Sequence, residues 1–500
     1  MEGKIVGAKP RYGLFNRLVY GAAEFYGGGA FVVINSFYTV FLIKALGIPA
    51  ALAGLAPLVG HIWDAITDPM MGTITDRTKH PFGTKRFYIL LGGILSALVF
   101  ILMWITVPST NTRVLFVFYA LMYVLFSTAF TIIMVPYNGL LPDMIDDYDR
   151  RARFSNVRTI WSTIGAMVCG IVPTLIIKDT TKPSSYLVCA ILFGILFLIS
   201  SLVTFFGTWE KQREPIDSKI SESFSQAGSA CRNKSFRLFL GIYLGGQCGM
   251  DFVSGLAVYY VEDVLNGYDK GYFIYLMAVL MISQLVGMIF WGPVMVKKSK
   301  KFTVLVGGPI RIIATLGLLF FSYEGASVVP ILVLAAFIGI GNAATLTSIF
   351  AILSDMADVD ELITSKHRPG TVSGMATFVR KISSGISSSM IGFLLSAVGY
   401  NEVLASSGER QTQATQHGIA LIFVWAPVIL VAIMLLCGIL FPMTQKEFNV
   451  IKKEIARRKG EDSSPVTEEE KQICEKVTGF SYERLWDSAN ARLGVKKKNS

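Results

Sequence analysis

Read for hydropathy alone, the chain alternates long apolar runs with short polar breaks from Leu14 to Pro442. A helix needs roughly 20 residues to cross about 30 Å of hydrocarbon. Apolar runs of that length recur at 14–43, 51–74, 87–107, 114–141, 154–177, 186–208, 237–264, 271–296, 303–323, 329–353, 371–398 and 416–442. The pattern predicts an all-α membrane protein of twelve transmembrane helices in two six-helix bundles, 1–208 and 237–442. A polar stretch at 209–236 links them, and a charged tail occupies 443–500. The first run is a full span without a small-residue cleavage site behind a short apolar core, so it is expected to remain as a helix.

Composition strengthens this reading: 52% of the 500 residues are hydrophobic and 16% charged, with a mean hydropathy of +0.53. A water-soluble fold could not bury that much apolar surface. The net charge of +11 follows from topology, because Lys and Arg are retained in short cytoplasmic loops. Alternate loops carry Arg77, Lys79, Lys85 and Arg86, then Arg150, Arg151 and Arg153, then Lys211, Arg213, Lys219, Arg232 and Lys234, then Lys297, Lys298, Lys300 and Lys301. The loops between them hold only Lys44, Arg113, Lys178, Lys182, Lys270 and Arg410. Both termini are therefore expected in the cytoplasm, in a multi-pass protein of the inner membrane. Nucleic acid is not an expected partner, since twelve spans forbid one continuous basic surface. The six cysteines show no CxxC spacing and imply neither a disulfide framework nor a structural metal.

Internal repetition is the next signal, because many transporters are two similar halves with a solute site where they meet. LPDMIDD at 141–147 follows the fourth span and LSDMADV at 353–359 follows the tenth; a basic residue then enters the next span, Arg158 or Arg380. GTITDRTKHPFGTKR at 72–86 follows the second span, and GPVMVKKSKKF at 292–302 is its degraded echo after the eighth.

Ionisable groups inside apolar spans are expensive and mark function by default. In HIWDAITDP at 61–69, Asp64 and Asp68 are spaced i, i+4, so both carboxylates project from one helical face about 6 Å apart. Such a pair needs a cation or a basic side chain between its members. The alternative is that Asp68, beside Pro69, anchors a helix end. Lys381, Arg380 and Arg158 are the basic partners considered; for both arginines the alternative is snorkelling to the interface. Glu24 on the first span, and Gln247 with Asp251 on the seventh, occupy corresponding helices of the two halves. Each could touch solute or glue helices together, as could Asn342 and Thr345 on the tenth. Asn233 opens an N-x-S sequon, but in a loop read as cytoplasmic.

These motifs resemble the glycoside-pentoside-hexuronide:cation symporters of the major facilitator superfamily. WDAITDPMMGTITDRT at 63–78 looks like that family's second-helix signature, and the segment at 353–381, ending in GMATFVRK, looks like its helix 10 to 11 signature. Shorter matches are GIPAALAG, VPYNGLLPDM and RFSNVRTI. The resemblance implies the major facilitator fold, with Asp64 and Asp68 as cation-binding carboxylates, Thr131 as a neighbouring ligand, Arg158 as a solute-binding arginine and Lys381 near the cation. Where sugar-binding acids stand in a well-known member, the alignment puts Gly28 and Met134, and an aromatic falls on Asn138. That loss suggests a less negative site and an anionic sugar, with a neutral pentoside the alternative.

The expected function is thus symport of a small polar solute, a glycoside, pentoside or hexuronide, with Na⁺, Li⁺ or H⁺. No cofactor is expected beyond the coupling ion; the lipid bilayer is the surrounding partner and the protein is expected to be monomeric. A lipid or other organic-anion transporter of related fold is the rival. An enzyme is disfavoured because HExxH, GxSxG and phosphate-loop patterns are missing.

Overall fold

The computed structural model describes residues 5–10, 12–145, 148–211, 228–366 and 368–491. Arg213, Lys219, Asp146 and Asp147, which figured in the loop and repeat patterns, lie outside them, as do the side chains of Arg77, Arg150, Arg151 and Arg153.

The apolar runs fold as helices: α1 (Leu14–Ala45), α2 (Ala50–Arg77), α3 (Thr84–Leu102), α4 (Thr112–Met144), α5 (Tyr148–Ile176) and α6 (Pro183–Gly207). After the linker come α7 (Lys234–Tyr259), α8 (Tyr272–Lys297), α9 (Lys300–Gly317), α10 (Val328–Thr364), α11 (Pro369–Ala397) and α12 (Gln413–Leu440). Among the described residues, ten helices are long and apolar enough to cross a membrane. The two that fall short are α7 and α11, of 26 and 29 residues. Their length suffices, but α7 carries Gln247 and Asp251, and α11 carries Arg380, Lys381 and a run of serines. Both face other helices, where polar groups find partners.

Corresponding helices of the two halves share details that the sequence echoes only hinted at. Both α1 and α7 end in a single π-helical turn, at Phe41–Ala45 and Tyr260–Val264. In the first half Lys85, at the start of α3, pairs with Asp143 at the end of α4. In the second, Lys300 at the start of α9 lies 2.5 Å from Asp355 on α10. Each pair joins the two repeated motifs of its half.

The halves meet along α2 and α11, α1 and α7, and α5 and α8. Glycine sets the closest approach: a Cβ on Gly392 would lie 2.2 Å from the Ala50 carbonyl oxygen, and one on Gly54 would lie 3.0 Å from those of Ser388 and Ser389. Small residues of this kind let membrane helices touch backbone to backbone.

Two segments read as polar linker or tail are structured. Trp209–Lys211 pairs antiparallel with Ile5–Gly7, tying the start of the chain to the end of α6. Asn233 caps α7, its side-chain oxygen accepting from Ser235 N at 2.9 Å. The tail forms α13 (Gln445–Lys459) and α14 (Glu468–Thr478), each opened by a capping box. Backbone donation from Thr467, then Lys453 and Arg457, holds the Glu470 carboxyl down at about 2. Ser235 Oγ donates to the Val477 carbonyl at 2.5 Å and Lys459 meets Glu361 at 2.6 Å, so the tail docks on the second half.

Candidate functional site

The carboxylate pair lies where α2 packs on α4 and α11. Asp64 is fully buried. The Thr131 hydroxyl is shared between the two acids, 2.6 Å from Asp64 Oδ1 and 2.8 Å from Asp68 Oδ1. Lys381 reaches from α11 to both, 2.8 Å from Asp64 Oδ2 and in contact with Asp68 Oδ2. Two carboxylates thus face one ammonium, and the cluster keeps one negative charge in excess. His61, one turn before Asp64, bonds the Tyr123 hydroxyl through Nε2 at 3.2 Å and stacks on Phe31.

Of the three basic residues considered for this pair, Lys381 alone reaches it among the described residues. Arg380 is adjacent on α11, but successive helical residues point about 100° apart. Its guanidinium instead clasps Asp251 on α7 with two bonds, of 2.8 and 2.7 Å. Arg158 on α5 donates from Nε to Glu24 at 2.5 Å and from Nη2 to Asn138 at 2.6 Å, with its guanidinium over the Tyr137 ring. Consecutive residues of α11 therefore serve different halves: Arg380 holds its own, and Lys381 crosses to the other.

The expectation of a less negative cavity is corrected by this geometry. A side chain at position 28 would strike the backbone of Ser162 at 2.4 Å, so Gly28 is a packing position against α5. Met134 fills the space beside Gly27. The acid comes from Glu24, one turn away, and neutralises Arg158. Asn342 is also placed differently from the expected solute contact: it is buried, accepting from Arg311 at 3.0 Å and donating to Gln284 at 2.7 Å. Thr345 packs against Met434. Gln247 lies on α7, half-buried, four residues before Asp251.

A cavity of about 650 Å³ opens between the halves, lined by Glu24, Arg158, Ser162, Met250, Ser254 and Gln284 among others. It is sealed at the end away from the termini. There the two π-helical turns meet: Lys44, fully buried, lies 3.0 Å from Asp263 and 3.1 Å from Glu262. Thr180 donates to Glu262 at 2.7 Å, and Ala50 N donates to Glu402 at 2.8 Å. At the termini's end the ion pairs described above, Lys85 with Asp143 and Lys300 with Asp355, stay within one half. A Cβ on Gly72 or Gly374 would meet little or nothing there. Among the described residues, ion pairs join the halves at one end and stay within each half at the other.

Sequence reading counted Lys44 only as a loop charge and passed over Arg311, Gln284 and the Asp263 gate. Arg311 carried a usable signal, a lone arginine inside the apolar span 303–323.

Known proteins share this architecture. The family model described as MFS/sugar transport protein matches residues 19–445. A protein named putative sulfoquinovose importer from Salmonella typhimurium is 26% identical over 93% of this chain and 97% of its own length. The isoprimeverose transporter of Lactiplantibacillus pentosus is 24% identical over 83% of this chain and 85% of its own. Among solved structures, a bacterial homolog of the human lysosomal transporter Spinster, inward-facing and unoccupied, superposes with a TM-score of 0.62. It is 14% identical, covering 92% of this chain and 100% of that one.

Proposed function

The chain belongs to the MFS/sugar transport family, which makes it a multi-pass membrane transporter and not an enzyme, and from that premise we propose that it carries a sugar-like polar solute together with one monovalent cation. The observation that supports this most is the imbalance at α2, where Asp64 and Asp68 face the single ammonium of Lys381. Carboxylate and hydroxyl oxygens are the donors that Na⁺, Li⁺ or H⁺ would use. A cation entering between Asp64, Asp68 and Thr131 releases Lys381, which loosens the one charged tie from α11 to the other half.

The solute would sit in the cavity between Arg158 with Glu24 on one side and Gln284 on the other. Bundles 1–208 and 237–442 then rock about that cavity. With both termini in the cytoplasm of an inner-membrane protein, the end where ion pairs stay within each half is cytoplasmic and the joined end external. Relatives carry names for an anionic sugar, sulfoquinovose, and a neutral disaccharide, isoprimeverose. Both fit a site that offers paired donors and acceptors. Binding of cation and solute is reciprocal by thermodynamic linkage, so net direction follows the two gradients.

The deciding experiment is uptake into liposomes holding the purified protein, using labelled glycosides, pentosides and uronides with Na⁺, Li⁺ and pH varied separately. Accumulation driven by one cation supports the reading. Uptake of every sugar at the same rate with and without each cation gradient rejects it.

A further inference from the structure

Arg311 is fully buried on α9 and forms no ion pair among the described residues. Its Nη1 donates to the Gly246 carbonyl and to Asn342 Oδ1, each at 3.0 Å, while Nε and Nη2 have no partner among the described residues. A buried arginine without a carboxylate is costly, and stability alone does not account for its place two hydrogen bonds from the cavity residue Gln284.

A guanidinium offers donors only. Asn342 must therefore turn its carbonyl oxygen toward Arg311, and its amide nitrogen is left facing the other way. That nitrogen donates to Gln284 Oε1 at 2.7 Å. Gln284 is thereby held with its oxygen toward Asn342, which leaves its –NH₂ on the other side of the amide. The amide's two ends are not interchangeable here, because reversing Gln284 would set its –NH₂ against the –NH₂ of Asn342.

We propose that Arg311, acting through Asn342, is a positioning residue that fixes Gln284 as a hydrogen-bond donor to the solute, and that this relay selects for an oxyanion, a carboxylate or sulfonate, on the sugar. The inference rests on the cation-coupled reading above and sharpens it. Around the cavity and the carboxylate pair, Arg158, Arg311, Arg380 and Lys381 balance Glu24, Asp64, Asp68 and Asp251. Arg158 and Arg380 are spoken for by Glu24 and Asp251. Entry of one cation leaves this group of side chains with one positive charge in excess, that of Arg311, which has no carboxylate partner among the described residues. An anionic solute cancels it and a neutral one does not.

Methyl β-glucuronide and methyl β-glucoside share a ring and differ in a carboxylate against a hydroxymethyl, so their uptake ratio reads the relay directly. The wild-type protein in liposomes under its driving cation gradient should favour the glucuronide. Gln284→Glu still accepts from Asn342 but turns a carboxylate to the solute, and should lower the glucuronide-to-glucoside ratio about tenfold or more. Arg311→Met frees Asn342 to turn over and should lower the ratio too, whereas Arg311→Lys, which still donates to Asn342 Oδ1, should keep most of it. A purely structural role would slow both probes alike and leave the ratio unmoved. Should Arg311→Met fail to fold, Gln284→Glu decides by itself. A wild-type ratio near one, or an unchanged ratio in Gln284→Glu, overturns the inference while leaving cation-coupled transport standing. Absence of cation-driven uptake for both probes and for the wider sugar panel fails the transport reading, and the inference with it.

Discussion

The charged side chains inside the bundle fall into small groups with distinct partners. Asp64→Asn and Asp68→Asn each remove a carboxylate that Lys381 and Thr131 contact. Either should abolish accumulation of solute against its gradient while the protein reaches the membrane in normal amount. Steady-state uptake and membrane abundance check this, and accumulation surviving in both variants would move the cation site elsewhere. Arg158→Ala leaves Glu24 without its partner and should cost about 1–3 kcal/mol of solute binding, roughly five- to 150-fold in affinity. Arg158→Lys should restore part of that, because an ammonium cannot hold Glu24 and Asn138 in the fixed fork of a guanidinium. Titration of solute binding distinguishes the two. Asp64, Asp68 and Lys381 were legible in the sequence because an ion in an apolar span has few other reasons to be there. Gln284 was not, since an amide between helices is ordinary glue and its role depends on which end Asn342 occupies. Gly28 misled because Glu24 offers its carboxylate one turn away, a register that alignment of single columns does not see.

At the scale of elements, α2 and α11 form the most extensive seam between the two halves. They touch backbone to backbone through Gly54 and Gly392 near one end, whereas a Cβ on Gly72 or Gly374 toward the other would meet little or nothing. Gly392→Val would drive a branched side chain into the Ala50 carbonyl and hold the joined end apart. The expected result is loss of solute uptake together with new labelling, by an impermeant thiol reagent added outside, of a cysteine placed at the cavity residue Ser254. Unchanged labelling would mean that α2 and α11 need not close. The length and order of the helices were plain from hydropathy. The polarity of α7 and α11 was equally visible, yet its reason lay in contacts across the bundle. The π-helical turns that end α1 and α7 had no sequence signal, because a single widened turn changes backbone bonding and not composition.

For the molecule as a whole, the described basic loops lie at the end where the ion pairs stay within one half, so the proposed orientation and the proposed open side are linked. A cysteine beside Lys178 should react with an impermeant reagent from outside, and one beside Lys298 should not; the reverse pattern would overturn both the orientation and the description of the open side as cytoplasmic. The tail docks on the second half through Ser235 and Glu361. Lys381 has a last consequence, for leakage. Its ammonium is a counter-ion on a tether that offsets one of the two carboxylates, so under the proposed cycle a carrier with no free cation on board has less charge to take back across the membrane. Without the tether the reset step would have to drag an ion back with it. Lys381→Ala should therefore convert net uptake into one-for-one exchange, with labelled solute still swapping against unlabelled solute across the membrane while net accumulation stops.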